Sequence, residues 1–284
     1  MQTFLIATDF SAASRNATQY GLELARAFNA RVILFTAYQQ VPVTVTEPLI
    51  LVATDMLGLA KQKLEGEARF FNSRGATPLE IMAKEGSTAN AILEAAKEMH
   101  ADLVLAGMKG DGKATRRFFG STVTSLARKT TVPLMIIPEE GAYKAPGTIA
   151  LANDISFHAG THLLDFLRLL VQKFHSTLYI VRVVTKKENE VVEILNRPSN
   201  LSEMVSNLEP LYEYPLDKNI TKALKDFIST HDVDLLAMVP HQESFPERWF
   251  LRSKTREMIF KTDIPLLILP GFPHRGEHQH SVVF

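Results

Sequence analysis

The chain is written twice. Thr3-Phe4-Leu5-Ile6-Ala7-Thr8-Asp9-Phe10-Ser11 has a counterpart in Thr148-Ile149-Ala150-Leu151-Ala152-Asn153-Asp154-Ile155-Ser156, each an apolar run closing on Asp-x-Ser, 145 residues apart. Further along, Ala101-Asp102-Leu103-Val104 matches Val233-Asp234-Leu235-Leu236, and the segment Lys129 to Pro138 matches Lys261 to Pro270, both 132 residues apart. A duplicated segment folds as two copies of one unit, so two tandem domains are expected, the second 13 residues shorter in its middle. The expected divisions are a first domain over 1–140 and a second over 147–272. A linker rich in Gly, Pro and charge runs from Glu139 to Gly147, and a flexible tail covers 273–284.

Within the first copy, short β-branched runs alternate with helix-length stretches. Strands are expected at Thr3–Thr8, Arg31–Tyr38, Leu79–Ala83, Leu103–Ala106 and Leu134–Ile137. Between them, Ser14–Phe28, Leu49–Ser73 and Thr88–His100 carry apolar residues at three- and four-residue spacing, with Ser87 as the expected N-cap of the third. A fourth helix is expected from Gly120 to Lys129. Nearly all-apolar strands separated by helices require a mostly parallel sheet sandwiched by helices, an α/β fold. Ligands of such sheets bind beyond the carboxyl ends of the strands. The last strands of the two copies, Pro133–Pro138 and Pro265–Pro270, are short and proline-bounded, leaving edges that want a partner.

Composition narrows the function. With no Cys among 284 residues, disulfide frameworks and thiolate metal sites are excluded. Lys+Arg equal Asp+Glu at 31 each, so no basic excess speaks for nucleic acid. No apolar run approaches the ~18 residues of a membrane span, and Met1-Gln2 leads straight into Phe4-Leu5-Ile6-Ala7 without a secretion signal. A cytoplasmic protein without membrane or nucleic-acid partners is expected.

The specific signal follows the fourth strand: Gly107-Met108-Lys109-Gly110, nine residues, then Gly120-Ser121-Thr122-Val123. Residues without Cβ let backbone approach a phosphate, and Gly120-Ser121-Thr122 would open a helix whose unpaired N–H groups favour anions. Two overlapping patterns are weaker. Gly107-x4-Gly112-Lys113 lacks the P-loop hydroxyl, having Ala114 next, and Gly110-Asp111-Gly112 misses the third glycine of a dinucleotide fingerprint.

The spacing Gly-x2-Gly-x9-Gly-Ser, preceded by an Asp at the end of the first strand, resembles the ATP-binding type of the universal stress protein family, and the tandem layout resembles its two-domain members. The resemblance implies a Rossmann-like, adenine nucleotide alpha hydrolase-like fold with five strands and four helices per domain. It implies that Ala7, Thr8 and Asp9 border ribose and adenine, with Ala37 as an adenine neighbour. Gly107, Met108, Lys109 and Gly110 would line the ribose and phosphate side, and Gly120, Ser121, Thr122 and Val123 the phosphates. ATP, accompanied by Mg²⁺, is the expected cofactor. In the family the last strands pair across a dimer, so here the two halves are expected to form an intrachain pseudo-dimer, with a further homodimer and an unidentified regulatory protein as expected partners.

The second copy departs from this pattern: Gly107, Gly110 and Gly120 become Val239, Gln242 and Arg252, and only Ser253 keeps the hydroxyl of Ser121. A side chain there blocks phosphate approach, so one ATP site per chain is expected. Other residues have plainer readings. Asp9 can instead cap the first helix or close a turn, Lys109, Lys113, Arg116 and Arg117 can be solvated surface, and Glu80 and Glu85 are expected as surface residues. The His274–His280 stretch lacks supporting shells for a metal, and Trp249 is expected to pack between domains. No nucleophile, base and electrophile assemble into a catalytic set. The expected function is a nucleotide-dependent stress-response switch; the alternatives are a slow ATP hydrolase and a nucleotide-free interaction module.

Overall fold

The computed structural model describes residues 1–40, 55–73, 78–108, 121–152, 164–184, 200–239 and 264–270. Chain order in the first half is β1 (Thr3–Ala7), α1 (Ala12–Phe28), β2 (Arg31–Tyr38), α2 (Met56–Asn72), β3 (Leu79–Glu85), α3 (Thr88–Glu98), β4 (Leu103–Met108), α4 (Ser121–Lys129) and β5 (Leu134–Pro138). The second half gives β6 (Thr148–Ala152), α5 (Asp165–Phe174), β7 (Thr177–Val181), α6 (Asn200–Val205), a 3₁₀ turn (Ser206–Leu208), β8 (Leu211–Glu213), α7 (Ile220–Thr230), β9 (Leu235–Met238) and β10 (Leu266–Ile268).

The ten strands form one sheet in the order β3-β2-β1-β4-β5-β10-β9-β6-β7-β8. This order is a palindrome under the repeat: β1 corresponds to β6, β4 to β9 and β5 to β10. Every pairing within a half is parallel. The halves join where β5 meets β10 antiparallel, Leu134 opposite Ile268 and Met135 opposite Leu267. The proline-bounded strands thus pair with one another, and neither is left as an edge.

Both faces of the sheet are apolar because successive side chains alternate between them. Phe4 and Ile6 of β1 join α1 and α2 through Leu24, Leu64 and Phe71, whereas Leu5 joins α3 and α4 through Ile92 and Leu126. The first face is continuous across the halves, where Phe166 of α5 packs its ring 6.1 Å from that of Phe4 and 6.2 Å from that of Phe28.

The repeat is also visible in backbone geometry. Asp102 donates its amide to Thr3 O and accepts from Thr3 N at 2.7 Å through Oδ2. Asp234 does the same with Thr148, its Oδ2 accepting from Thr148 N at 3.0 Å and from Gly147 N at 2.8 Å, while Oδ1 holds Lys144 at 2.5 Å. Each aspartate clasps the start of its half's first strand. The Asp234 side chain is 10% exposed, and its loss would leave two strand-entry amides without their acceptor. Asp234→Ala is expected to cost about 1–3 kcal/mol, and Asp102→Ala, which releases a single amide, less. Thermal melts of the two variants check the ranking; equal melting temperatures would reject it.

Several sequence expectations shift. The second helix is described from Met56, capped by Asp55, whose side chain accepts from Gly58 N; residues 49–54 lie outside the described residues. Ser87 precedes α3 in extended backbone, but its side chain makes no capping hydrogen bond. Glu80 forms an exposed ion pair with Arg31 at 2.5 Å. Trp249, Arg252, Ser253, Asp154, Gln242 and His274–His280 lie outside the described residues.

Candidate functional site

A parallel sheet wound in two directions opens a crevice where neighbouring strands send their chains to opposite faces. Here that place is the carboxyl end of β1 and β4: β1 leads into α1 on one face, and β4 leads toward α4 on the other. Ala7 lies opposite Ala106 and opposite Phe35, so the ends of β1, β4 and β2 stand side by side. Of the sequence-expected residues, Ala7, Thr8, Asp9, Ala37, Gly107 and Met108 come together along this edge. Ser121, Thr122 and Val123 form the first turn of α4, where backbone N–H groups lack intrahelical acceptors. Lys109, Gly110 and Gly120 lie outside the described residues, as do Lys113, Arg116 and Arg117.

The β1–α1 turn is built from short polar side chains. Thr8 is buried; its Oγ1 accepts from Phe10 N at 3.0 Å and stands 3.1 Å from Ser14 Oγ. Its hydroxyl is thus engaged inside the turn, leaving backbone as its means of touching a ligand. Asp9 Oδ1 accepts from Ser11 N at 3.0 Å, the turn-closing role, while Ser11 is the N-cap of α1, accepting from Ser14 N at 3.2 Å. Ser11 and Ser14 are the residues that sequence reasoning missed, although a Ser three residues before another at a helix start is a readable capping signal. Asp9 itself is exposed beyond the strand.

The Asp9 carboxyl is held below its ordinary value. Partial desolvation acts to raise it, and hydrogen bonds from the Ser11 hydroxyl and amide and the Ser14 hydroxyl outweigh that. A depressed folded-state value means that the turn's contribution to stability is complete above the unfolded value and is lost as pH falls through the folded one. A carbon-detected NMR titration is expected to find the Asp9 midpoint below that of a free aspartate; a midpoint above it would show that desolvation wins.

Packing gives Gly107 a reason to be glycine that the sequence did not show. A Cβ built on it would stand 2.3 Å from Ala13 O and 2.7 Å from Ser14 N, the backbone of the first turn of α1. Helix packing already demands glycine here, so this residue alone does not speak for phosphate. Met108 and Val123 are buried against the α3 and α4 face, which leaves backbone as the part of each that can meet a ligand. In the second half Val239 follows β9 at the position of Gly107 and packs partly buried against the core.

Among the described residues, no group of three or more His, Asp or Glu side chains gathers as a metal set, and no helix is long and apolar enough to cross a membrane. The polar groups gathered here, one carboxylate with hydroxyls and amides, suit a ligand that brings its own charge.

Residues 1–138 match the model of the universal stress protein family. A universal stress protein of Thermus aquaticus, encoded in the QAH/OAS sulfhydrylase 3′ region, is 28% identical over 136 residues, 48% of this chain and 98% of its own length. A universal stress protein from Archaeoglobus fulgidus DSM 4304 superposes on 94% of this chain and 98% of its own at a TM-score of 0.69 and 15% identity, which shows a shared fold across both halves. A universal stress protein in complex with cAMP is 29% identical, covering 48% of this chain and 96% of its own at a TM-score of 0.37. Through residues 1–138, the chain belongs to the universal stress protein family.

Proposed function

We propose that the N-terminal half binds one ATP, accompanied by Mg²⁺, across the crevice between the ends of β1 and β4, and that the chain works as a nucleotide-dependent switch in a cytoplasmic stress response. The observation that carries the reading is one of placement: the Gly-x2-Gly-x9-Gly-Ser segment leaves β4 at the sheet's switch point and ends in the first turn of α4. There a helix dipole and unpaired amides favour an anion. An ionised Asp9 beside it supplies an acceptor for ribose hydroxyls or the adenine amine. Mg²⁺ would arrive on the phosphates, since magnesium is commonly held by nucleotide oxygens and water rather than by an all-protein cage. The second half is proposed to bind none, because Gln242 and Arg252 stand where the first half has Gly110 and Gly120.

A switch requires that nucleotide bind two arrangements of the protein unequally. Helix α1 can carry such a difference, since Asn16 donates to Pro138 O at 2.8 Å and Gly141 O at 2.9 Å at the start of the linker. A regulatory protein would read the arrangement. The test is to denature freshly purified protein and count adenine nucleotide per chain by chromatography with mass detection. One per chain is expected; two would reject the assignment of the second half, and none, with no thermal shift on adding Mg-ATP, would reject the reading. Asp9→Ala is expected to weaken ATP by about tenfold, the loss of one charge-assisted hydrogen bond, by calorimetry.

A further inference from the structure

Where the β1–α1 turn and α1 face α2, Phe10, Arg15, Lys63, Gly66, Glu67 and Phe70 line a groove of about 490 Å³, within the size range of small-molecule sites. One of these residues is a choice that packing does not explain, and the two rings beside it are only partly covered, Phe10 by the core and Phe70 by Phe71 at 5.1 Å. Gly66 sits in the interior of α2, where glycine weakens a helix, yet a Cβ on it would meet nothing within 4 Å. Phe10 holds φ at 67°, a region that bulky residues avoid. Phe70 leaves 43% of an aromatic residue exposed.

The charges of the groove favour one sign. Glu67 is buried and faces Arg15, whose Nε lies 2.9 and 3.1 Å from its two carboxylate oxygens, so its negative charge is matched. Lys63 stands over the Phe10 ring at 5.6 Å from its centroid, and none of the ion pairs among the described residues uses it. Two aromatic rings, open space kept by a missing Cβ and an ammonium with no carboxylate partner among the described residues together describe a complement.

We infer that this groove is a second ligand site, distinct from the nucleotide crevice, that takes a flat aromatic molecule bearing an acid group: the body lies over Gly66 between Phe10 and Phe70, and the anion meets Lys63. The probe is 8-anilinonaphthalene-1-sulfonate, an aromatic anion, titrated by fluorescence into the full chain, with uncharged N-phenyl-1-naphthylamine as the comparison. One anionic probe per chain is expected, undisplaced by Mg-ATP and bound at least tenfold more tightly than the uncharged one. Gly66→Leu fills the open space and is expected to weaken the probe at least tenfold while raising, not lowering, the melting temperature, a combination that loss of fold does not produce. Lys63→Glu is expected to weaken the anionic probe by a similar factor and leave the uncharged one unchanged. Displacement by Mg-ATP would return the groove to the nucleotide site. Equal binding of the two probes, or indifference to both substitutions, would overturn the inference. So would a concentration-dependent dimer abolished by Gly66→Leu, which would make the groove an interface between two copies.

Discussion

Gly107→Ala, the smallest substitution available, is expected to destabilise the nucleotide-free protein by about 2–3 kcal/mol, at the upper end of overpacking costs. The reason is what the new methyl meets. Ala13 O at 2.3 Å and Ser14 N at 2.7 Å are main-chain atoms of the first turn of α1, and they cannot rotate aside as a side chain would. That turn is held by the Ser11 cap and by the contact of Ser14 with Thr8, and Gly21 lower on the same helix already rides close on Ile6, where a Cβ would stand 2.6 Å from Ile6 Cδ1. Relief would therefore mean lifting α1 from β4. For a unit of this size the melting temperature should fall by about 5–10 °C, read by circular dichroism on protein stripped of nucleotide. If instead the stripped variant melts with the parent and only nucleotide binding suffers, glycine at this position serves the ligand and the packing explanation fails.

Gly107 also illustrates how far the sequence can be read. The residue was legible as special, and its partner was not, because no pattern within Gly107–Gly110 reveals that α1 crosses β4 at this point. The repeat was legible as paired strings and its last strands as edges wanting a partner; that these two edges meet each other, joining two five-stranded sheets into one of ten strands, was expected from the family resemblance and not from the repeat. Its finer signature escaped: Asn29 and His175 end α1 and α5 in left-handed backbone at φ 49° and 53°, and His100 and Asp232 repeat the device at 50° and 47°. A sequence reader looks for glycine at such positions, and all four are filled by other residues. Strands ran longer than expected at β3 because Lys84 and Glu85, polar and therefore discounted, lie on the sheet's outermost strand, where Lys84 reaches Glu98 at 3.0 Å. Asp102 and Asp234 were visible as a matched pair, but clasps on strands 99 and 86 residues away in sequence leave no local trace.

The loop assignment has its sharpest consequence at Gly120. If phosphate oxygens approach the backbone just ahead of α4, a valine at 120 puts two methyl groups in their path and removes the freedom of φ that the approach uses. Gly120→Val is then expected to weaken ATP at least 100-fold, equivalent to about 2.7 kcal/mol. The melting temperature of nucleotide-free protein should stay within about 2 °C of the parent, since α4 itself begins at Ser121 and buries Leu126 and Ala127 from positions well inside the helix. The contrast with Gly107 makes the pair informative. Gly107→Ala is expected to lower stability without nucleotide, and Gly120→Val to lower affinity without loss of stability. A packing role at both glycines predicts destabilisation twice, and a ligand role at both predicts it neither time. Isothermal titration of Mg-ATP into the two stripped variants, beside their melts, separates these patterns. Retention of parental affinity by Gly120→Val would remove the phosphate loop from the site and, with it, the support for ATP that the glycine spacing provides.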